Sequence, residues 1–314
     1  MTGVLGFTLA CAAVFLVAGG VASLPAWLLA RVAARATWVA ARRADLALVA
    51  GLLPLLVAVA VLTGVVLPSV VDAVGWRPDH CEGHDHHVHL CLVHADTIPA
   101  RLAAIGAIAS VLVVLRGAGA LVTLGRTHRH VRALERLGRA EGDIVRLPGS
   151  PRLCHAAGAL RPRVLLSDAL ATSVTPEQLA AAIEHERAHL RRRDPLASAL
   201  LALASFAALP FAARAASRSF RDAAEEAADA DAARVHGGIG VADALLAVAR
   251  VQTQVPLLAF AEGGLERRVR ALLAGAPTAR ARGLVVSAFL IATGLAAALI
   301  VADGIHHAVE SLLG

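Results

Sequence analysis

The 314-residue chain contains no lysine, no tyrosine and no asparagine, so every basic side chain is an arginine. With the abundance of alanine, glycine and valine, this reads as a genomic bias in codon usage and says little about function. Aromatic residues make up only 3% of the chain, and the arginines flank apolar segments instead of interleaving with aromatics. The net charge of +6 therefore argues for membrane topology over nucleic-acid binding, and no direct nucleic-acid partner is expected. Charge as a whole is scarce, at 17% of residues against 57% hydrophobic, which is too apolar for an ordinary soluble domain. No basic residue precedes the first apolar run. The charged leading region of a cleaved signal peptide is thus missing, and the run is expected to be an uncleaved span with its N-terminus outside.

That run covers residues 4–30, with Gly19, Gly20 and Pro25 as interruptions in its middle and later part, and is long enough to cross a bilayer. Arg31, Arg35, Arg42 and Arg43 follow in a short loop and mark the cytoplasmic side. Residues 46–71 then return outward, and Pro54 and Pro68 can kink them. Residues 100–123 head inward. Arg116 lies inside their pattern, near enough to the inner end to snorkel; the alternative is a functional intramembrane arginine. The stretch from Arg126 to Arg139 reads as a basic amphipathic helix lying against anionic headgroups. A fourth span over 283–302 follows Arg280 and Arg282 and leaves residues 302–314 outside. The expected organisation is three spans in 1–125 with an outer loop at 72–99, a cytoplasmic domain at 126–282, and the last span with a short tail at 283–314.

The chemistry centres on residues 175–194. Thr175, Pro176 and Gln178 are a helix-start signal with a capping box. On that helix His185 and His189 are four apart, so one face presents two imidazoles to one metal, with Glu186 beside the first. This is a zinc-hydrolase spacing: zinc acidifies a bound water, and a neighbouring carboxylate can take its proton. Such a site needs a third protein ligand. Downstream, Glu225 and Asp229 are again four apart, so one can bind zinc while the other hydrogen-bonds a ligand imidazole.

His185-Glu186-Arg187-Ala188-His189, the run Arg191-Arg192-Arg193-Asp194, and Glu225-Glu226-Ala227-Ala228-Asp229 resemble the glutamate-zincin core of integral-membrane metallopeptidases. The similarity is greatest to the antirepressor peptidases of the beta-lactam sensor-transducer type. Leu160–Ser167 and Thr175–Leu179 resemble the approach to the zinc helix in that family. The specific match spans about residues 150–235 and departs at Arg187, a charge pointing off the ligand face. The resemblance implies zinc ligands His185, His189 and Glu225, Glu186 as base, and Asp229 as the partner of a ligand imidazole. It also implies a protein substrate, a transcriptional repressor among the candidates, and location in a bacterial inner (plasma) membrane. Those relatives carry a penicillin-binding domain after the last span, which is not expected here, so any signal would enter through the outer loop, the spans or a partner.

The outer loop holds His80, His84, His86, His87, His89 and His94, six of the fourteen histidines, and Cys81 and Cys91. A second metal site or proton sensing there and a Cys81–Cys91 disulfide both remain open, as does a plain polar loop. Ile144–Leu147, Arg152–His155 and Arg163–Ser167 predict a small antiparallel sheet. By resemblance, its edge can hold substrate by strand addition. Cys154, His155 and Cys11 read as packing residues. Residues 195–213 are apolar enough to span, but one crossing would part His189 from Glu225. A buried helix or a re-entrant hairpin turning near Pro210 is expected instead. The fold expected is thus an α-helical membrane protein of about four spans with an inserted α+β gluzincin-like peptidase domain. A metal transporter and a catalytically silent membrane metal sensor are the alternatives, and an oligomer is compatible with either.

Overall fold

In the computed structural model of the protein, the described residues are 2–76, 100–149, 151–252, 264–275 and 302–313, with short stretches between 288 and 300. The six loop histidines with Cys81 and Cys91, and eleven of the twenty residues of the expected fourth span, lie outside the described residues. Three long helices open the chain: α1 (Thr2–Arg35), α2 (Ala40–Ala73) and α3 (Ala100–Leu137). They contain the three expected spans. α1 and α2 approach closely because their shared face is built of small residues, Ala33, Ala44 and Ala47 beside Leu48 and Leu52, an arrangement suited to packing without a hydrophobic driving force. α3 turns Ile108, Val111, Leu112 and Leu115 outward, an apolar surface that only a bilayer or a partner can cover.

α3 does not stop where its apolar stretch ends. It runs unbroken through the basic stretch to Leu137, and Val131 and Leu134 pack on the sheet. A helix lying flat on headgroups would need a break, so this segment is a strut from the third span into the domain and not a surface helix. Strands β1 (Arg139–Glu141), β2 (Ile144–Leu147), β3 (Cys154–Ala157) and β4 (Arg163–Ser167) follow. They form one sheet in the order β1-β2-β4-β3. The antiparallel expectation is corrected here: β2 and β4 run parallel, because β4 inserts between β2 and β3 instead of continuing a meander. β3 is left as an edge.

A short helix, α4 (Asp168–Ala171), leads to α5 (Pro176–Arg192). Its capping box is formed: the Thr175 hydroxyl accepts from the Gln178 N–H at 3.3 Å, and Gln178 Oε1 accepts from the Thr175 N–H at 3.0 Å. Arg187, the departure noted above, donates to Asp143 at 2.7 and 2.9 Å and ties α5 to the β1–β2 turn. α5 stops at Arg193, whose backbone is left-handed (φ 59°). That turn starts α6 (Asp194–Ala204), and α7 (Pro210–Gln252) follows.

Residues 195–213 therefore form a hairpin turning at 205–209. It enters the helix bundle. Phe206 stacks on Phe15 at 5.6 Å, Leu209 N–H donates to Ser23 Oγ at 2.9 Å, and the turn passes so close to Gly19 that a Cβ there would lie 2.3 Å from the Ala207 carbonyl oxygen. Arg116 donates to the carbonyls of Ser205, at 2.8 Å, and Ala208. Snorkelling does not describe it: its guanidinium serves carbonyls of the turn after α6, that of Ser205 also accepting the Ala208 N–H at 3.3 Å.

α7 is broken at Gly237 (φ 73°, ψ 154°), a conformation suited to glycine. Among the described residues, four helices are long and apolar enough to cross a membrane: α1, α2, α3 and α7. In α7 the apolar half follows Gly237, where Val241, Ala242 and Ala244 are buried against Ala181 of the zinc-motif helix and Leu272. Leu272 belongs to α8 (Gly264–Leu273), and a last helix, α9 (Ala302–Leu313), lies along α2, with His306 Nδ1 3.2 Å from the Val65 carbonyl oxygen.

Candidate metal centre

α5 and α7 pack side by side, and this brings three expected residues together. His185 Nε2 and His189 Nε2 are 3.2 Å apart, and Glu225 oxygens lie 3.4 Å from the first and 3.6 Å from the second. Donors bound to one zinc at about 2.0–2.1 Å in a tetrahedron are about 3.3 Å from one another. The two imidazole nitrogens match that spacing; the two Glu225 distances are to its two different oxygens, and one ligand atom from each of the three residues lies within 4.8 Å of the others, so the donor types suit zinc and the cluster is compact enough to hold one ion.

The other ring nitrogens explain the orientation. His185 Nδ1 lies 2.9 Å from Asp229 Oδ1, and His189 Nδ1 lies 2.8 Å from Asp194 Oδ2. Each carboxylate accepts an Nδ1–H and so directs an Nε2 lone pair inward. Two lone pairs facing each other at this distance call for a shared cation. Burial opposes charge on His185, but the carboxylates of Asp229 and Glu225 outweigh it and raise its pKa to about 10. Burial likewise opposes charge on Glu225, yet His185 and Arg268 hold it well below the usual carboxylate range. Asp229 is lowered in the same way, against burial, by Arg268 and His185.

Two residues here were not expected from sequence. In the sequence Asp194 is only the end of an arginine run, and Arg268 is one of three arginines at 267, 268 and 270 that by themselves mark only a cytoplasmic bias. Asp194 opens α6 after the left-handed Arg193, a reversal that returns its carboxylate to His189. Arg268 of α8 grips Asp229 through Nε and Nη2 at 2.6 and 2.8 Å and reaches Glu225 through Nη1 at 2.9 Å. A histidine followed after five residues by an aspartate was the available signal for Asp194; none pointed to Arg268.

Glu186 sits at the sheet side of the site, where its Oε2 accepts the Ala156 N–H of β3 at 2.6 Å. The edge of β3 therefore faces the candidate metal position across a cleft of about 200 Å³, whose lining includes His155, His185, Glu186, Glu225 and Arg268. Cys154 is buried in that wall, where burial raises its thiol pKa first and Glu186 adds to it; it acts as packing.

Two imidazoles one turn apart, a carboxylate from a neighbouring helix and an edge strand beside them, on a scaffold of membrane-length helices, describe an integral-membrane metallopeptidase. Comparison with protein families agrees. The model of the BlaR1 peptidase M56 family matches residues 90–272, more than half of the chain, and the protein belongs to that family. It is a membrane metallopeptidase with a signalling kinship. Compared with curated proteins and with solved structures, the chain has no match.

Proposed function

We propose that the protein is a zinc endopeptidase of a bacterial inner membrane that cuts a cytoplasmic protein, a transcriptional repressor being the substrate suggested by kinship, when an external signal arrives. The observation that carries this reading is the convergence of His185 Nε2, His189 Nε2 and Glu225 at 3.2 to 3.6 Å, each imidazole braced by its own carboxylate. In this reading His185, His189 and Glu225 hold the metal, and Asp229 and Asp194 set the imidazole tautomers. Bound zinc supplies a Lewis acid that polarises a carbonyl and acidifies water.

The remaining steps belong to the chain. A substrate segment lies along the open edge of β3, which fixes its backbone before the reaction. Glu186, one residue from a ligand and oriented by the Ala156 N–H, takes the proton of the attacking water and then delivers it to the leaving amine. Arg268 keeps Asp229 and Glu225 ionised. The arginines that border the spans support a cytoplasmic side for the domain built on α5 and α7.

The test compares newly formed protein N-termini in cells carrying wild type and Glu186→Gln, which keeps shape and metal ligands but cannot accept the proton. N-termini present only with wild type establish the peptidase and name its substrate. If wild type and variant give the same N-termini under metal or acid stress, the catalytic role of Glu186 is wrong.

A further inference from the structure

Where α3, α6 and α7 meet, away from the metal centre, lies a groove of about 440 Å³ lined by Arg116, Ser205, Arg214, Ser217, Arg218 and Arg221 among others. Its charge has one sign. No carboxylate lines it among the described residues. The acidic residues nearby are engaged elsewhere: Asp222 lies 3.6 Å from Arg267, Glu226 pairs with Arg43 and Arg267, and Glu225 with Arg268. Arg214, Arg218 and Arg221 are exposed and spaced four and three apart, so they form one stripe of α7. Arg116 closes the back, held by the carbonyls of Ser205 and Ala208. Four guanidiniums gathered around one space without a counter-ion repel one another unless an anion enters.

The groove's place in the fold says which anion. The turn before α7 reaches Gly19 and Ser23 in the middle of α1, and the arginine stripe begins one turn after Pro210, toward the arginine-rich end of the bundle. There Ala216 packs on Ala30 and Ala50, Phe211 meets Trp27 edge to face at 6.2 Å, and Arg31 stacks on Trp27 at 4.8 Å. Aromatic rings and arginines at one level mark a bilayer interface. Leu115, Leu209 and Phe211, the exposed apolar residues next to the arginines, offer a surface for an acyl chain. A soluble anion would have no use for that wall.

We propose that this groove binds the phosphate of an anionic phospholipid, with Arg116, Arg214, Arg218 and Arg221 as its contacts. Because Arg116 stands on α3 and the other three on α7, the headgroup bridges the two helices. Arg221 is one helical turn before Glu225, so an occupied groove steadies the segment that supplies the acidic side of the metal centre.

The experiment is native mass spectrometry of the full chain in detergent with equal amounts of phosphatidylglycerol and phosphatidylcholine. Wild type retains phosphatidylglycerol in preference. Arg214→Gln with Arg218→Gln lowers that preference about thirty-fold, at roughly five-fold per arginine near an anionic headgroup. Arg214→Lys with Arg218→Lys keeps most of it, which separates charge from misfolding. Arg126→Gln with Arg129→Gln, two arginines of the strut outside the groove, leaves it in place. An equal loss in the strut pair would mean general surface charge and overturn the proposal, as would a lysine pair that binds no better than the glutamine pair. Displacement of the lipid by inorganic phosphate would identify a soluble-anion site instead and also overturn it.

Discussion

Asp194→Asn isolates a contact on which the metal reading depends. Asp194 accepts from His189 Nδ1 at 2.8 Å and from Arg192 Nε at 3.2 Å, and the side chains of all three are at least nine-tenths buried. Asparagine preserves the shape and one acceptor but removes the negative charge that makes the imidazole a strong donor to metal. Loss of such a partner lowers metal affinity by roughly ten- to a hundred-fold, or about 1.4–2.7 kcal/mol. A second cost falls on the fold, because the buried guanidinium of Arg192 is left beside a neutral amide, at about 3 kcal/mol. The two effects are read separately: zinc affinity by competition with a chromophoric chelator, and stability by thermal unfolding of the chelator-treated protein. Asp168→Asn, whose partner Arg146 is at 3.4 Å on an exposed surface, serves as the control and leaves both unchanged. Zinc affinity in Asp194→Asn equal to wild type would refute the role given to Asp194.

Further outcomes follow from the same geometry. In zinc-free protein the His185 pKa of about 10 lies above its unfolded value, so its contribution to stability is complete below about pH 6.5 and is lost as pH rises through 10. Zinc must displace that proton, so zinc affinity climbs over the same window, by up to about ten-fold per pH unit; titrations giving one affinity between about pH 7 and about pH 9 would contradict it. Gly19→Ala places a Cβ 2.3 Å from a backbone oxygen of the α6–α7 turn, which cannot swing aside, and costs about 1–3 kcal/mol of stability. Gly20→Ala meets nothing within 4 Å, so comparing the thermal unfolding of the two in detergent checks the depth to which the hairpin inserts.

The features legible from sequence are those written in local periodicity. Thr175 and Gln178 announce the start of α5, the four-residue spacing of His185 and His189 gives one face, and Glu225 with Asp229 gives another. Unbroken apolar runs give the first three spans. What was not legible depends on chain reversals and distant pairings. Asp194 reaches His189 only because Arg193 takes a left-handed backbone. Arg268 is 39 residues beyond Asp229 in a stretch whose arginines suffice to explain membrane topology. The insertion of β4 between β2 and β3 leaves no trace in residue alternation, which is the same for parallel and antiparallel neighbours in strands this short. Arg116 looked like a residue at a membrane boundary because the carbonyls it serves belong to a turn almost ninety positions later.

The most direct measurement of the central claim is the position of the metal itself. A crystal structure of the zinc-loaded protein with anomalous data at the zinc edge should show one peak about 2 Å from His185 Nε2, His189 Nε2 and a Glu225 oxygen, absent in His189→Ala. Zinc bound elsewhere in active protein, with no peak between these three residues, would contradict the account.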